Sequence, residues 1–190
     1  MDIRELTTPL QLAYIGRNFD LLVKEATHTK IPYAEFLIGA LTKELEMRKE
    51  NRVQRRVKEA RFPYKKYLVD LDLEEYGDDV RSEIEELAEL HFIAKKENVV
   101  LIANSGRGKT HLAIGLGMAA CLADKRVLFT NIPNLVIELK EAMSRNAVTA
   151  FKNKFLKYEL VIRVYNIFWG RQNRGLLISC SNLFWESSLR

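Results

Sequence analysis

Between positions 103 and 110 the chain reads Ala103-Asn104-Ser105-Gly106-Arg107-Gly108-Lys109-Thr110, and most of these residue types have a use in holding a row of phosphates. Gly106 and Gly108 can adopt backbone angles that turn successive amide N–H groups inward around an anion. Lys109 brings a point charge on a stem long enough to reach the β- and γ-phosphates of a nucleotide. Thr110 offers a hydroxyl to Mg2+, which prefers oxygen ligands and keeps several waters. The run is a phosphate-binding loop with Ala103 in place of the usual first glycine. All eight residues form the candidate cofactor site, and Thr110 is the candidate metal ligand. A methyl group at 103 is tolerable because it falls at a strand end. Arg107 reads as a solvated side chain, and His111 as a packing or capping residue rather than a catalyst.

Such a loop works only between a buried strand and a helix whose N-terminal dipole faces the same anion. Both are predicted. Val99, Val100, Leu101 and Ile102 form a short continuous apolar run of the kind found in a strand covered on both faces, and residues 109–123 are apolar at helical spacing. A β-branched and aromatic run at 127–130 completes a βαβ unit. Residues 132–144 fit another helix and 160–162 a third buried strand.

A hydrolysing site of this type also needs a carboxylate at the end of a second buried strand to hold the Mg2+ water shell, and usually a neighbour to orient the attacking water. The strand 160–162 is in the right place but runs into Arg163-Val164-Tyr165-Asn166. With a cation where the carboxylate is wanted, hydrolysis is expected to be impaired and no catalytic residue is assigned. Nucleotide binding can persist, because the loop supplies most of the phosphate contacts.

Ahead of the core, Leu10, Tyr14, Leu21 and Leu22 recur at helical spacing and predict a short helical hairpin over residues 6–26, followed by the punctuation of Pro32. Residues 33–58 read as one long helix, whose stripe of Leu37, Leu41 and Leu45 gives way to a charged half beginning at Arg48. The helix cannot outlast Phe62-Pro63, because the residue before proline is pushed out of the α region. Residues 63–77 are predicted to connect, with Tyr64, Tyr67 and Tyr76 as anchors. Helical spacing returns at 78–96 through Val80, Ile84, Leu87 and Phe92. The chain therefore divides into a helical N-terminal domain (1–62), a linker and helix (63–97), a partial core (98–162) and a divergent tail (163–190).

Lys and Arg outnumber Asp and Glu by 30 to 25, which favours a polyanionic partner without identifying one. Arg48, Lys49, Arg52, Arg55 and Arg56 crowd the second half of the long helix. They read either as a surface for the phosphate backbone of a nucleic acid, with salt-sensitive binding, or as a solvated face laced with Glu–Lys and Glu–Arg pairs. Cys121 and Cys180, the only cysteines, have no paired spacing and predict neither a disulfide framework nor a zinc site. The first five residues lack the apolar centre of a signal peptide, and no apolar run approaches the roughly 18 residues of a membrane span. A cytoplasmic protein without a membrane partner is expected.

Three stretches carry a resemblance: Ala60-Arg61-Phe62-Pro63-Tyr64, then Glu97-Asn98-Val99-Val100-Leu101-Ile102, then Gly108-Lys109-Thr110-His111-Leu112-Ala113-Ile114-Gly115-Leu116-Gly117. In these, and in their separation, the chain resembles the IstB-like ATP-binding proteins of bacterial insertion sequences, relatives of the helicase loader DnaC. The resemblance implies an α/β fold with a helical N-terminal domain followed by an incomplete AAA+ P-loop NTPase core with a parallel sheet. It implies ATP and Mg2+ at residues 103–110, double-stranded DNA as a partner, and assistance to a transposase. It tips the basic helix towards DNA. The alternatives are a replication helicase loader of the same fold, or a non-catalytic remnant.

After about Ile162 the resemblance is expected to fail. The family continues with Asp-Glu, two more strands, a polar sensor residue and an arginine finger. Here both tryptophans, Trp169 and Trp185, occur, and no lysine follows Lys157. A frameshift or truncation would explain the change. Leu176 to Leu183 echoes the family's fourth strand and the polar residue after it, which makes an internal deletion the competing explanation. In the family's sheet the strand leading into the phosphate loop lies between the fourth and fifth strands. Without them its backbone would be bare, predicting a chain that is marginally stable or self-assembles.

Overall fold

The computed structural model describes residues 2–104, 106–164 and 173–180. They belong to two compact units, Met1–Gln54 and Arg55–Arg190.

The first unit contains α1 (Ile3–Thr7), α2 (Ala13–Thr29) and most of α3 (Tyr33–Ala60). The hairpin predicted over 6–26 is cut by the Thr8-Pro9-Leu10-Gln11 turn, where Gln11 takes a positive φ of 55°. A capping box of Asp2 and Glu5 starts α1. Residue 16 is glycine because α1 presses on α2 there: a Cβ would lie 2.6 Å from Thr7 Oγ1. Leu12, at the N-cap of α2, has no side-chain acceptor. Glu44 of α3 supplies one, its carboxylate accepting the N–H groups of Tyr14 at 2.8 Å and Ile15 at 3.1 Å. Arg48 Nε donates to the same carboxylate at 3.0 Å. Ile15, Leu22 and Ala40 form a small core around this junction.

The second unit runs through two 3-10 turns, Leu68–Asp70 and Leu73–Glu75, then α4 (Asp78–Ala88), α5 (His91–Lys95), β1 (Val99–Asn104), α6 (Lys109–Leu122), β2 (Val127–Asn131), α7 (Ile132–Ser144), α8 (Val148–Phe155), β3 (Leu160–Val164) and β4 (Asn173–Cys180). The helix predicted over 78–96 is broken at Leu90, which is left-handed at φ 59°. Successive residues of β3 serve opposite faces of the sheet, as the period of a strand requires. Leu160 and Ile162 pack with Leu112, Ala113, Leu116 and Ala120 of α6. Val161 packs with Leu128, Leu135, Phe151 and Phe155 beneath α7 and α8. The middle of α6, Leu112–Met118, is buried residue after residue, the condition of a helix at the centre of a core.

The strand order is β1-β4-β3-β2. β2 and β3 are parallel, with Val127 opposite Leu160. β4 is antiparallel to both β1 and β3, so β1, β2 and β3 all run the same way. The fold is thus α/β, a helical N-terminal part followed by a partial AAA+ P-loop core, as the resemblance implied. Two expectations about the tail are corrected. β1 is not bare, since β4 pairs along it from Val99 opposite Ile178 to Asn104 opposite Asn173. And β4 takes the place of a fourth strand beside β1 in the reverse direction. Only residues 165–172 separate β3 from β4, whereas a parallel return needs a crossover of about a dozen residues or more. Cys180, opposite Leu160, therefore ends the strand at the rim away from the phosphate loop. Ser181, Asn182 and Leu183, the end of the stretch read as a strand and the polar residue after it, lie outside the described residues, as do Tyr165, Asn166, Trp169 and Trp185.

Candidate functional site

The phosphate-loop sequence leads from the end of β1 into α6. Gly106 and Gly108 have φ values of +84° and +69°, a region in which side-chain-bearing residues are strained and glycine is not. Gly108 is the residue before α6, so the N-terminal end of the helix opens onto the loop. Lys109 folds back across the loop, its Nζ donating to the Ala103 carbonyl at 2.6 Å. Thr110 is half-buried in the first turn and Arg107 is exposed. Ser105 lies outside the described residues. Two left-handed glycines, a lysine and a helix N-terminus thus meet at the end of β1, and a helix N-terminus is where backbone N–H groups and the helix dipole favour an anion.

His111 Nε2 lies 2.9 Å from the Tyr67 carbonyl. A carbonyl oxygen only accepts, so Nε2 carries the proton, and the imidazole fastens the segment before β1 to α6. Sequence reasoning missed the other half of this attachment. Tyr76 is an anchor, as its position in the linker suggests, but its target is the loop itself, its hydroxyl donating to the Arg107 carbonyl at 3.2 Å. No local pattern in the sequence joins residues 31 positions apart.

Arg163 is the fourth residue of β3 rather than a residue beyond it. It pairs in register with Thr130 of β2 and Leu177 of β4. Among the described residues no group of three or more His, Cys, Asp or Glu could hold a metal ion. Cys121 is buried in α6, where desolvation pushes its thiol up to about 12 against the opposing charge of Arg56.

The five basic candidates on α3 differ in their surroundings. In the first unit Lys49 and Arg52 are exposed. Arg48 is held by Glu44 and also donates to the Gln11 carbonyl. In the second unit Arg55 is exposed, with Glu59 at 4.0 Å, whereas Arg56 has its side chain 19% exposed and paired with Asp124 at 3.2 Å. Arg48 and Arg56 are thus committed to partners within their own units. Among the described residues no helix is long and apolar enough to cross a membrane.

A strand, a glycine-turned loop and a buried helix in this order define an α/β protein of the phosphate-loop class with a partial AAA+ core. Within that class the chain belongs to the IstB-like ATP binding protein family, which it matches over residues 6–167. It is 34% identical over 145 residues to a Pseudomonas aeruginosa protein described as an ATP-binding protein of insertion sequence IS21, covering 76% of this chain and 55% of the relative. A similar protein of insertion sequence IS232 from Bacillus thuringiensis subsp. berliner is 28% identical over 162 residues, 84% of this chain and 65% of the relative. An IS21-like relative from Bacteroides fragilis is 29% identical over 191 residues, 97% of this chain and 71% of the relative. The chain spans 55% and 65% of the length of the first two. Similarity does not stop at Ile162 as expected: the family match runs to residue 167 and the Bacteroides protein is similar over nearly the whole chain.

Proposed function

We propose that this chain binds ATP with Mg2+ at residues 103–110, and acts as a DNA-associated accessory protein of transposition in which hydrolysis is impaired. The observation that carries the reading is the loop: two left-handed glycines, Lys109 lying across it, and α6 beginning at its end. Bound phosphates would take N–H groups of the loop, and Lys109 would exchange the Ala103 carbonyl for a phosphate oxygen. Most ligands of Mg2+ would come from the phosphates and water, with the Thr110 hydroxyl as the protein's contribution. In the sequence, Arg163 follows the apolar run of β3 at the position where a carboxylate is needed to organise attack by water, which supports binding without appreciable turnover.

The printed names of the relatives, ATP-binding proteins of insertion sequences, support the transposition setting and a transposase as partner. The excess of basic residues and the exposure of Lys49, Arg52 and Arg55 support contact with double-stranded DNA. β1 is the outer strand of the described sheet, and its free edge suits self-association. A cytoplasmic location fits these partners. The test is titration of the full chain with a fluorescent ATP analogue, alongside steady-state hydrolysis with and without duplex DNA. Saturable, Mg2+-dependent binding lost in Lys109→Ala, with no DNA-stimulated turnover, is expected. Absence of binding overturns the assignment, and DNA-stimulated turnover overturns the impairment.

A further inference from the structure

The segment between Tyr67 and Tyr76 lies along the first two turns of α6 and is held at points about one turn apart. Leu68 fills the space of a side chain at Gly115, its Cδ2 2.7 Å and its backbone nitrogen 3.2 Å from where a Cβ would be. His111 binds the Tyr67 carbonyl. At Gly108 a Cβ would collide with the Tyr76 hydroxyl and lie 3.5 Å from Leu71 Cδ1. Residues 108, 111 and 115 share one face of the helix, so this is a strap laid on that face with its end against the phosphate loop.

The last contact orients one particular peptide group. The described peptide bonds contain no cis form, and in a trans peptide the C=O and N–H point to opposite sides of the chain. With the Arg107 carbonyl turned to the Tyr76 hydroxyl, the Gly108 N–H of the same peptide is turned away from the strap. Glycine tolerates φ of either sign, so nothing intrinsic to Arg107-Gly108 prevents this plane from flipping. A flipped plane would aim a carbonyl oxygen, rather than an N–H, at an anion in the loop.

We propose that Tyr76 is a positioning residue for the phosphate site: by holding the Arg107 carbonyl it fixes the Gly108 amide towards the phosphates of a nucleoside di- or triphosphate. The proposal rests on the nucleotide reading above. It makes the linker preceding β1 part of the binding machinery. Tyr76 touches the loop from outside and need not touch the nucleotide.

The experiment compares the full chain with Tyr76→Phe, which keeps the ring and removes only the hydroxyl. Affinity is measured for ADP and, by competition, for inorganic triphosphate, which has phosphates and no base. The Gly108 amide is followed by 15N-edited NMR as ADP is added. Loss of one hydrogen bond should weaken both ligands about five-fold, reduce the ADP-induced shift of the Gly108 amide proton, and lower the melting temperature of the unliganded chain by no more than a few degrees. Equal affinities in the two proteins overturn the role of Tyr76 while the nucleotide site stands. Weakened binding with an undiminished Gly108 shift also overturns it, since Tyr76 would then act elsewhere. An unaltered chain that binds neither ADP nor triphosphate overturns both this inference and the reading beneath it.

Discussion

The ring of Phe62 occupies the space in which a side chain at position 117 would have to sit, Cε1 and Cζ each lying 2.8 Å from the Cβ that Gly117 lacks. Ile162 Cδ1 closes the same space at 2.7 Å. The Phe-Pro-Tyr segment and the helix that follows the phosphate loop, far apart in sequence, meet here against β3. Alanine is favoured over glycine by about 1 kcal/mol in a helix, but overpacking a filled core costs about 1–3 kcal/mol, and an aromatic ring cannot bend aside like the tip of a lysine. Gly117→Ala is therefore expected to destabilise the chain by about 1 kcal/mol. Gly39→Ala, with nothing within 4 Å of the new methyl, should stabilise α3 by up to about 1 kcal/mol. Urea unfolding followed by circular dichroism tests both, and a Gly117→Ala chain as stable as the parent contradicts the packing argument.

Acid should loosen the first unit through Glu44. Burial alone would raise the pKa of this 2%-exposed carboxylate, but the N–H groups of Ile15 and Tyr14 and the Arg48 guanidinium outweigh it and lower the value. A group with a lowered folded pKa contributes stability that is complete above its unfolded value, about 4.3 for glutamate, and lost as pH falls through the folded one. Glu44→Gln should cost about 1–3 kcal/mol at neutral pH, and the gap to the parent should close in acid. A gap that stays constant down to the acid transition would mean that the charge at 44 contributes nothing.

Salt dependence of DNA binding should separate the basic residues of α3. Replacing Arg52 or Arg55 with Ala is expected to lower the slope of log affinity against log salt by about 1 each. Arg56→Ala should leave the slope unchanged and instead lower stability by about 1 kcal/mol, because its partner is Asp124. Fluorescence anisotropy on a DNA duplex across a salt series reads the slope. Equal slope changes for Arg52→Ala and Arg56→Ala would remove the distinction.

Cys121 should be chemically silent in the folded chain. A thiol held near 12 by burial contains almost no thiolate at neutral pH, and the thiolate is the nucleophile. In a Cys180→Ser background, iodoacetamide should label Cys121 only at the rate of unfolding. Prompt labelling under native conditions would show that α6 is open.

The strand-loop-helix centre was legible because continuous apolar runs and punctuating glycines report local geometry directly. Elements whose logic is non-local were less so. α8 is short, and Lys152, Asn153 and Lys154 interrupt its apolar residues. Phe151 and Phe155, 5.0 Å apart in an edge arrangement, make sense only once Leu135 and Val161 are seen beneath them. Arg48 and Arg56 read as surface cations because their contacts at Gln11 and Asp124 lie 37 and 68 residues away. β4 was recognisable as a strand, but an apolar run does not record the direction in which it will be threaded.

That direction reaches beyond topology. Hydrogen bonding between strands is indifferent to which end of a segment arrives first, but the chemistry at a sheet's rim is not. β4 enters beside the phosphate loop, at Asn173 opposite Asn104, and leaves at Cys180, roughly 24 Å away at the usual rise per residue. A side chain meant to read a γ-phosphate, grafted onto this strand, would therefore belong at its Asn173 end. The same side chain at the Cys180 end would be built correctly and addressed to the wrong rim.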